Sequence, residues 1–377
     1  MPGIYIHIPF CRQACTYCNF HFSTSLALKG KVINAINHEI FLCEPFSADE
    51  EINTIYFGGG TPSLLTESEL NSILESLHKK FNIAQEAEIT LEANPDNINK
   101  SELTEWKRTG INRLSLGVQS FMEEELKWMN RAHTTVQSMQ SIDEIILAGF
   151  NNFSVDLIYG SPLLTDADLK KHVDIIVNKK VPHISCYALT VEPKTALDKM
   201  IRKNESLPVN NDKQSDQFLM LMQWMRDAGY EHYEISNFCL PGMRSKHNSS
   251  YWKGIPYYGF GPSAHSFNGK NIRRWNIANN ALYIQSLEKD SIPFTEEVLT
   301  KTQQLNEYIM IGLRTMEGIQ LSEIELRFGS TVSNRLLQNS ERFINNKLMI
   351  LKNNALVVTQ QGKLLADGIA GDLFDLD

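Results

Sequence analysis

No stretch of the chain reaches the roughly 18 consecutive apolar residues that a membrane-spanning helix needs, so no segment reads as transmembrane. Its opening, MPGIYIHIPF, lacks the basic start, long apolar core and small-residue cleavage site of an export signal. A cytoplasmic setting with no membrane anchor is therefore expected. Blocks of Lys and Arg are missing as well. With 36 basic against 44 acidic residues and a net charge of −8, broad binding to nucleic acid or a membrane surface is not expected. Six cysteines in a reducing compartment stay as thiols, which excludes a disulfide framework. A second Cys-x-x-Cys, which a paired zinc site would use, is absent too.

What is present suits a globular protein: 377 residues, 42% hydrophobic and 21% charged, enough for two domains or a large barrel with an appendage. Short β-rich runs recur at GIYIHI (3–8), INTIYF (52–57), EITLEA (88–93), INRLSLGV (111–118), FSVDLIYG (153–160) and HISCYAL (183–189). Helical patterns lie between them, among them 67–81 behind the cap-like Thr66, and 163–180. Such alternation predicts α/β architecture built from βα units around a parallel sheet. Six units are too few for a closed eightfold barrel, which leaves a partial (βα)6 barrel or an open doubly wound sheet. Polar or glycine-rich signals follow the runs at the same end: the cysteine loop, GGGTP, NPD, Gln119-Ser120 and GSP. In barrels the strands' C-terminal ends carry the chemistry, so one shared mouth is expected there.

Residues 1–210 read as the barrel and 211–295 as a barrel-completing, linking region with a helix at 212–229 and an irregular passage at 230–275. Residues 296–377 read as two or three helices followed by a hairpin closed at Asn353-Asn354, a winged-helix-like appendage. That unit holds 8 basic and 11 acidic residues, net −3, which favours a packing role over DNA binding.

Cys43, Cys186 and Cys239 stand singly in apolar surroundings and read as core residues. FCRQACTYCNF (10–20) is different, with Cys11, Cys15 and Cys18 inside one short loop. Thiolates bind soft metal ions and iron–sulfur clusters. His21 would complete a zinc set; a [4Fe–4S] cube on three thiolates would instead keep one iron open to a small ligand.

Cys-x3-Cys-x2-Cys with Tyr17 before the last cysteine resembles the signature of the radical S-adenosylmethionine (SAM) enzymes. The resemblance implies a [4Fe–4S] cluster whose open iron is chelated by SAM, and a radical SAM barrel. YIHIPFC, FGGGTPS, LEANPD, LGVQSF, RAH, VDLIYG and GFGPSAHSF, in that order, are similar to the oxygen-independent coproporphyrinogen III oxidase family over nearly the whole chain. Carried over by motif, Cys11, Cys15 and Cys18 would hold the cluster, with Tyr5 packed nearby. Gly59, Gly60 and Thr61 would offer backbone and hydroxyl groups to SAM's amino-acid end. Glu92 would pair with its ammonium, Arg131 with its carboxylate, and Gln119 and Asp156 with its ribose. Ala188 and His265 would border the adenine. Taken singly, each has a plain reading as a cap, a turn or a surface charge; the set together gives them weight.

Within that family the oxidases carry a further cysteine where this chain has Phe20, and a longer N-terminal extension. The sequence resembles more closely the HemW-type haem chaperones, through HNSSYW (247–252). The resemblance implies haem binding at His247, Tyr251 and Trp252, with Arg244, Lys246 and Lys253 near the propionates; Cys239 and His232 are other candidate ligands. Haem delivery to apo-haemoproteins, those of the respiratory membrane among them, by transient contact is the expected function, and a homodimer is compatible with it. Oxidative decarboxylation of coproporphyrinogen III and radical SAM chemistry on another substrate stay open. Cys15→Ser is expected to collapse the iron and sulfide content of anaerobically reconstituted protein; full retention would mean that the loop has another purpose.

Overall fold

Polar and apolar residues alternate along the strands, so each strand has one side for a hydrophobic core and one for something else. In a computed structural model, which describes residues 2–47 and 50–375, that division organises the whole molecule. The strands are β1 (Gly3–Ile8), β2 (Glu51–Gly59), β3 (Asn82–Ala93), β4 (Arg113–Gln119), β5 (Phe153–Tyr159) and β6 (His183–Ala188). They continue as β7 (Glu231–Glu234), β8 (Asn237–Cys239), β9 (Tyr257–Phe260), β10 (His265–Phe267), β11 (Ile272–Asn276) and β12 (Phe294–Val298). All twelve lie in one sheet, ordered β12-β11-β10-β9-β1-β2-β3-β4-β5-β6-β8-β7. From β9 to β6 the pairing is parallel, and antiparallel pairs extend it at both edges. Neighbours among β1–β6 follow chain order, so the sheet is wound one way rather than doubly.

Ile4, Ile6, Ile8, Ile55, Phe57, Leu91, Leu114, Leu116 and Val155 are fully buried in one core with the helices that return each strand. Helix Glu67–Lys80 shows why: Leu70, Ile73, Leu74 and Leu77 form its buried stripe, and Thr66 with Glu69 closes a capping box at its start. The expected helices at 163–180 and 212–229 are Asp166–Asn178 and Asn211–Asp227, each opened by a side-chain cap, from Thr165 and Asn210. The opposite strand face carries Tyr5, Tyr56, Thr90, Glu92, Ser115, Asp156 and Ser185. Register puts Tyr5 beside Tyr56, Tyr56 beside Thr90, Glu92 beside Ser115 and Asp156 beside Ser185. A polar row therefore crosses the sheet.

The passage 230–275 is not irregular. It supplies β7 to β11, and β9 extends the parallel set on the free edge of β1. Its core residues Tyr230, Phe238, Tyr258 and Phe260 join the barrel's own core. A second core sits in the C-terminal unit, from Leu305 to Leu373. Helices Lys301–Leu313, Leu321–Phe328 and Ser330–Asn345 precede the strands Met349–Lys352 and Ala355–Val358. Asn353 and Asn354 turn between those strands, both left-handed at φ 50° and 61° as a two-residue hairpin turn requires. Strand β12 belongs to the first sheet and ends at Val298, two residues beyond the boundary expected at 296. Contacts join the units: Ile235 N–H to Arg314 O at 2.9 Å, Arg244 to Glu317 at 2.6 Å and Arg273 to Glu307 at 2.9 Å. No helix among the described residues is long and apolar enough to cross a membrane.

Leu116→Ala should destabilise the chain by about 3 kcal/mol in urea denaturation, because a fully buried side chain leaves a cavity. Leu326→Ala, 80% exposed, should change the midpoint negligibly; equal effects would contradict the assignment of the core face.

Candidate functional site

The cysteine loop leaves the end of β1 and is fastened on both flanks. Cys11 N–H donates to Ser23 O at 3.0 Å, and Ser23 N–H donates to Pro9 O at 2.9 Å. On the other side Thr16 N–H reaches Met129 O at 3.0 Å, and Leu197 N–H reaches Thr16 O at 2.8 Å. All six cysteines are free thiols. Arg131 enters the loop from beyond β4, with Nη1 3.2 Å from Cys15 Sγ. Its Nη2 donates to Asn94 Oδ1 and Gly117 O, both at 2.7 Å, and its buried Nε has no partner. Burial pushes the Cys11 thiol up to about 11 and raises Cys18. As bare thiols these groups are protonated at neutral pH, and a bound cationic metal centre inverts that preference.

His21 does not join them: its Nε2 is 2.8 Å from Asn280 Oδ1. Among the described residues no three His, Cys, Asp or Glu side chains converge on a single ion. A zinc set is therefore not formed. A four-iron cube binds each thiolate at a different iron and needs no such convergence, so the donor set fits a cluster held by three thiolates.

Next to the loop lies the glycine run after β2. Gly59 sits at φ +108°, and a Cβ there would come within 2.6 Å of the His7 ring; one on Gly60 would meet Phe10 O at 2.6 Å. Their N–H groups are engaged within the chain. Gly59 donates to Glu92 Oε2 (3.2 Å), Gly60 to Ile8 O (2.9 Å) and Thr61 to Phe10 O (2.7 Å). The backbone carbonyls and the Thr61 hydroxyl are therefore the groups this run has to offer SAM's amino-acid end. The run works by close packing that seats the cysteine loop against β2, while the Thr61 hydroxyl lies beside Cys11.

Glu92 accepts from Tyr56 OH at 2.8 Å as well as from Gly59. Burial raises its carboxyl to about 7, and burial likewise raises Asp156, bonded to Ser185 and Ser115, to about 6. Gln119 ends β4 in the left-handed region at φ 68°, an uncommon state for its type and one that accumulates at ligand sites. Tyr5, Glu92 and Asp156 occupy the polar strand face, and Arg131 and Gln119 meet around Gly117, at the strands' C-terminal ends. Ala188 ends β6, exposed; His265 begins β10, stacked on Trp275 at 6.1 Å.

The opposite end of the strand face holds a group that sequence patterns alone did not single out. Thr54, Glu88, Arg113 and His183 are buried there, beside His247. Arg113 Nε and Glu88 Oε2 form a loose ion pair at 4.0 Å, and these atoms and Arg113 Nη2 make no hydrogen bond. The signal available in sequence was one polar residue at alternate positions of every strand.

HNSSYW forms a helix, Lys246–Trp252, rather than a loop. His247 is only 2% exposed, with Nδ1 2.8 Å from Thr54 Oγ1 and Nε2 2.9 Å from Tyr251 OH. Burial, assisted by Arg113, lowers it to about 3, so the ring is neutral. An iron ligand needs a free ring nitrogen, and both of these are engaged; ligation requires the Tyr251 contact to open. His247 stacks on Tyr56 at 5.0 Å, and Tyr56 on Tyr5 at 6.2 Å, a ring series from this helix to the residues beside the cysteine loop. Trp252 carries the Arg314 guanidinium at 5.7 Å. Arg244 is paired with both Glu231 and Glu317. Cys239 is fully buried in β8, and His232 bonds Lys363 Nζ at 2.8 Å, so neither is an open ligand.

Three comparisons bear on this arrangement. The radical SAM superfamily model matches residues 5–176, and the HemN C-terminal domain model matches 299–365. The protein named Heme chaperone HemW of Lactococcus lactis is 33% identical over 367 residues, 97% of this chain and 95% of that one. Its namesake in Bacillus subtilis is 31% identical, with 98% of each chain covered. The solved structure of the coproporphyrinogen III oxidase HemN from Escherichia coli, described as a radical SAM enzyme, superposes with TM-score 0.84. It covers 99% of this chain and 90% of that one at 22% identity, a likeness of fold.

Glu92 offers a pH test. Its folded value lies above that of an exposed carboxyl, so its contribution to stability is full at acid pH and lost as pH rises through about 7. Between about pH 4.5 and pH 7 the thermal midpoint of SAM-free protein should fall more steeply in wild type than in Glu92→Gln, and above about pH 7 the two should run parallel. Parallel slopes in the lower range as well would show that Glu92 ionises without burial strain.

Proposed function

The chain belongs to the radical SAM superfamily and, within it, to the family of the HemW haem chaperones, and on that premise we propose that it carries haem to apo-haemoproteins. The observation that carries the reading is the match to haem chaperones along 97% of the chain, including the segment that forms helix Lys246–Trp252. Haem is held at that helix. Tyr251 shields His247, and turning Tyr251 aside frees Nε2 as a neutral imidazole ligand for iron. Trp252 lends an apolar face beside it. Burial keeps His247 uncharged, which suits coordination across the whole physiological range.

Membership of the superfamily implies a [4Fe–4S] cluster and SAM, and the residues present fit both. Cys11, Cys15 and Cys18 hold the cluster, which supplies one-electron chemistry when bound. Arg131 balances thiolate charge and, with its unpartnered Nε, has a donor left for SAM's carboxylate. Glu92 receives the SAM ammonium, which lowers the cost of keeping that carboxylate ionised. Tyr5, Gly59, Gly60 and Thr61 shape the same wall, and Gln119 and Asp156 reach the ribose. No residue is assigned a catalytic step. Phe20 lies 67% exposed beside Cys18, where the oxidases carry a thiol, and this supports a carrier over an oxidase. The protein works in the cytoplasm and meets its recipients, respiratory haem enzymes among them, by transient contact or as a homodimer.

The test uses cluster-reconstituted protein kept anaerobic. One sample receives haem; another receives coproporphyrinogen III, SAM and a low-potential reductant. Stable haem absorption that drops at least about tenfold in affinity in His247→Ala, without protoporphyrinogen formation, supports the carrier. Formation of protoporphyrinogen assigns the chain to the oxidases instead.

A further inference from the structure

Between the outer strands of the sheet and the C-terminal unit lies a cavity of about 430 Å3. Both bodies wall it. Tyr251, Tyr257, Phe267 and Arg273 come from the sheet side, and Tyr308 and Arg327 from the C-terminal helices. Its walls are aromatic: Tyr251 and Tyr257 meet edge to face at 4.7 Å. The Arg273 guanidinium lies 5.9 Å over the Phe267 ring, and that of Arg327 lies 5.2 Å over Tyr308. A guanidinium held against an aromatic ring keeps an N–H fork that can grip a carboxylate with two bonds.

Charge adds a second constraint. Lys270, Arg273 and Arg327 line the space against a single acid, Glu307, which Arg273 already holds at 2.9 Å. Arg327 makes no ion pair among the described residues. An aromatic-walled gap that gathers excess positive charge has no use as packing, because its lining loses dispersion contacts and its cations repel. It suits a flat, apolar ring system bearing acids at its edge. Tyr251 then has a double position, on this cavity and hydrogen-bonded to His247 behind it.

We propose that this interdomain cavity is the resting place of the tetrapyrrole, with Arg273 and Arg327 receiving its two propionates from opposite walls. The inference rests on the haem-carrier reading and adds to it a role for the C-terminal unit, which becomes half of the haem site rather than a packing appendage.

Full-length, cluster-reconstituted wild type, Arg273→Ala, Arg327→Ala and Arg327→Lys are titrated with haem and with haem dimethyl ester, whose propionates carry no charge. Thermal midpoints check that each variant is folded. Wild type should bind haem about tenfold or more tightly than the ester. Each Ala variant should lose about tenfold in haem affinity while its ester affinity stays the same, and Arg327→Lys should recover part of the loss. If wild type binds haem but neither variant nor ester differs from it, the cavity placement is wrong and the carrier reading stands. If wild type binds no haem at all, both fall.

Discussion

Seven parallel strands must each present one face to helices and the other to whatever fills the middle of the sheet. That pleat is the constraint from which the site follows. Ile4, Ile6 and Ile8 secure β1 in the core, and in doing so they force Tyr5 and His7 onto the inner face. Leu91 and Ala93 do the same for Glu92, and Leu114 and Leu116 for Arg113 and Ser115. A one-residue slip of any strand would exchange the two sets, so the hydrophobic core itself fixes the positions of the functional side chains.

The inner face carries an electrostatic burden that the protein alone does not discharge. Glu92 and Asp156 are buried carboxyls held above their ordinary range, and Arg131 and Arg113 keep donor nitrogens without partners. Buried polar groups without partners are costly, and they concentrate where a ligand brings the missing charge or hydrogen bond. The cysteine loop shows the same incompleteness: burial keeps Cys11 and Cys18 protonated as bare thiols while Arg131 waits at Cys15. At the other end of the sheet Arg113 and Glu88 are left short of hydrogen bonds too, but the histidine beside them is not. His247 is fully satisfied by Thr54 and Tyr251, a closed arrangement that a ligand must open.

Much of this was legible before any coordinates. The six strand runs appear where the alternation placed them, the Asn353-Asn354 hairpin forms, and Thr66 caps its helix through a box with Glu69. Local rules suffice for such features, because turn conformation and capping depend on a few neighbouring residues. The passage 230–275 defeated the same rules. Its strands are three to five residues long and stable only against partners distant in sequence, as with β9 on β1, so no local period announces them.

The order of chemistry along the chain was a property of sequence: three cysteines in one loop, acids on the runs that become β3 and β5, an arginine beyond β4, and a His-Tyr-Trp motif late in the chain. Spacing along a strand or loop is covalent, and it is the spacing of the three cysteines that carries the resemblance to the radical SAM signature. Tertiary structure decided the rest. It consumed the N–H groups of the glycine run, buried His247 behind Tyr251, tied Arg244 to two glutamates, and opened an aromatic cleft against Arg327. Those outcomes turn on which groups compete for the same partner in space, and residues distant along the chain become competitors only once it has folded.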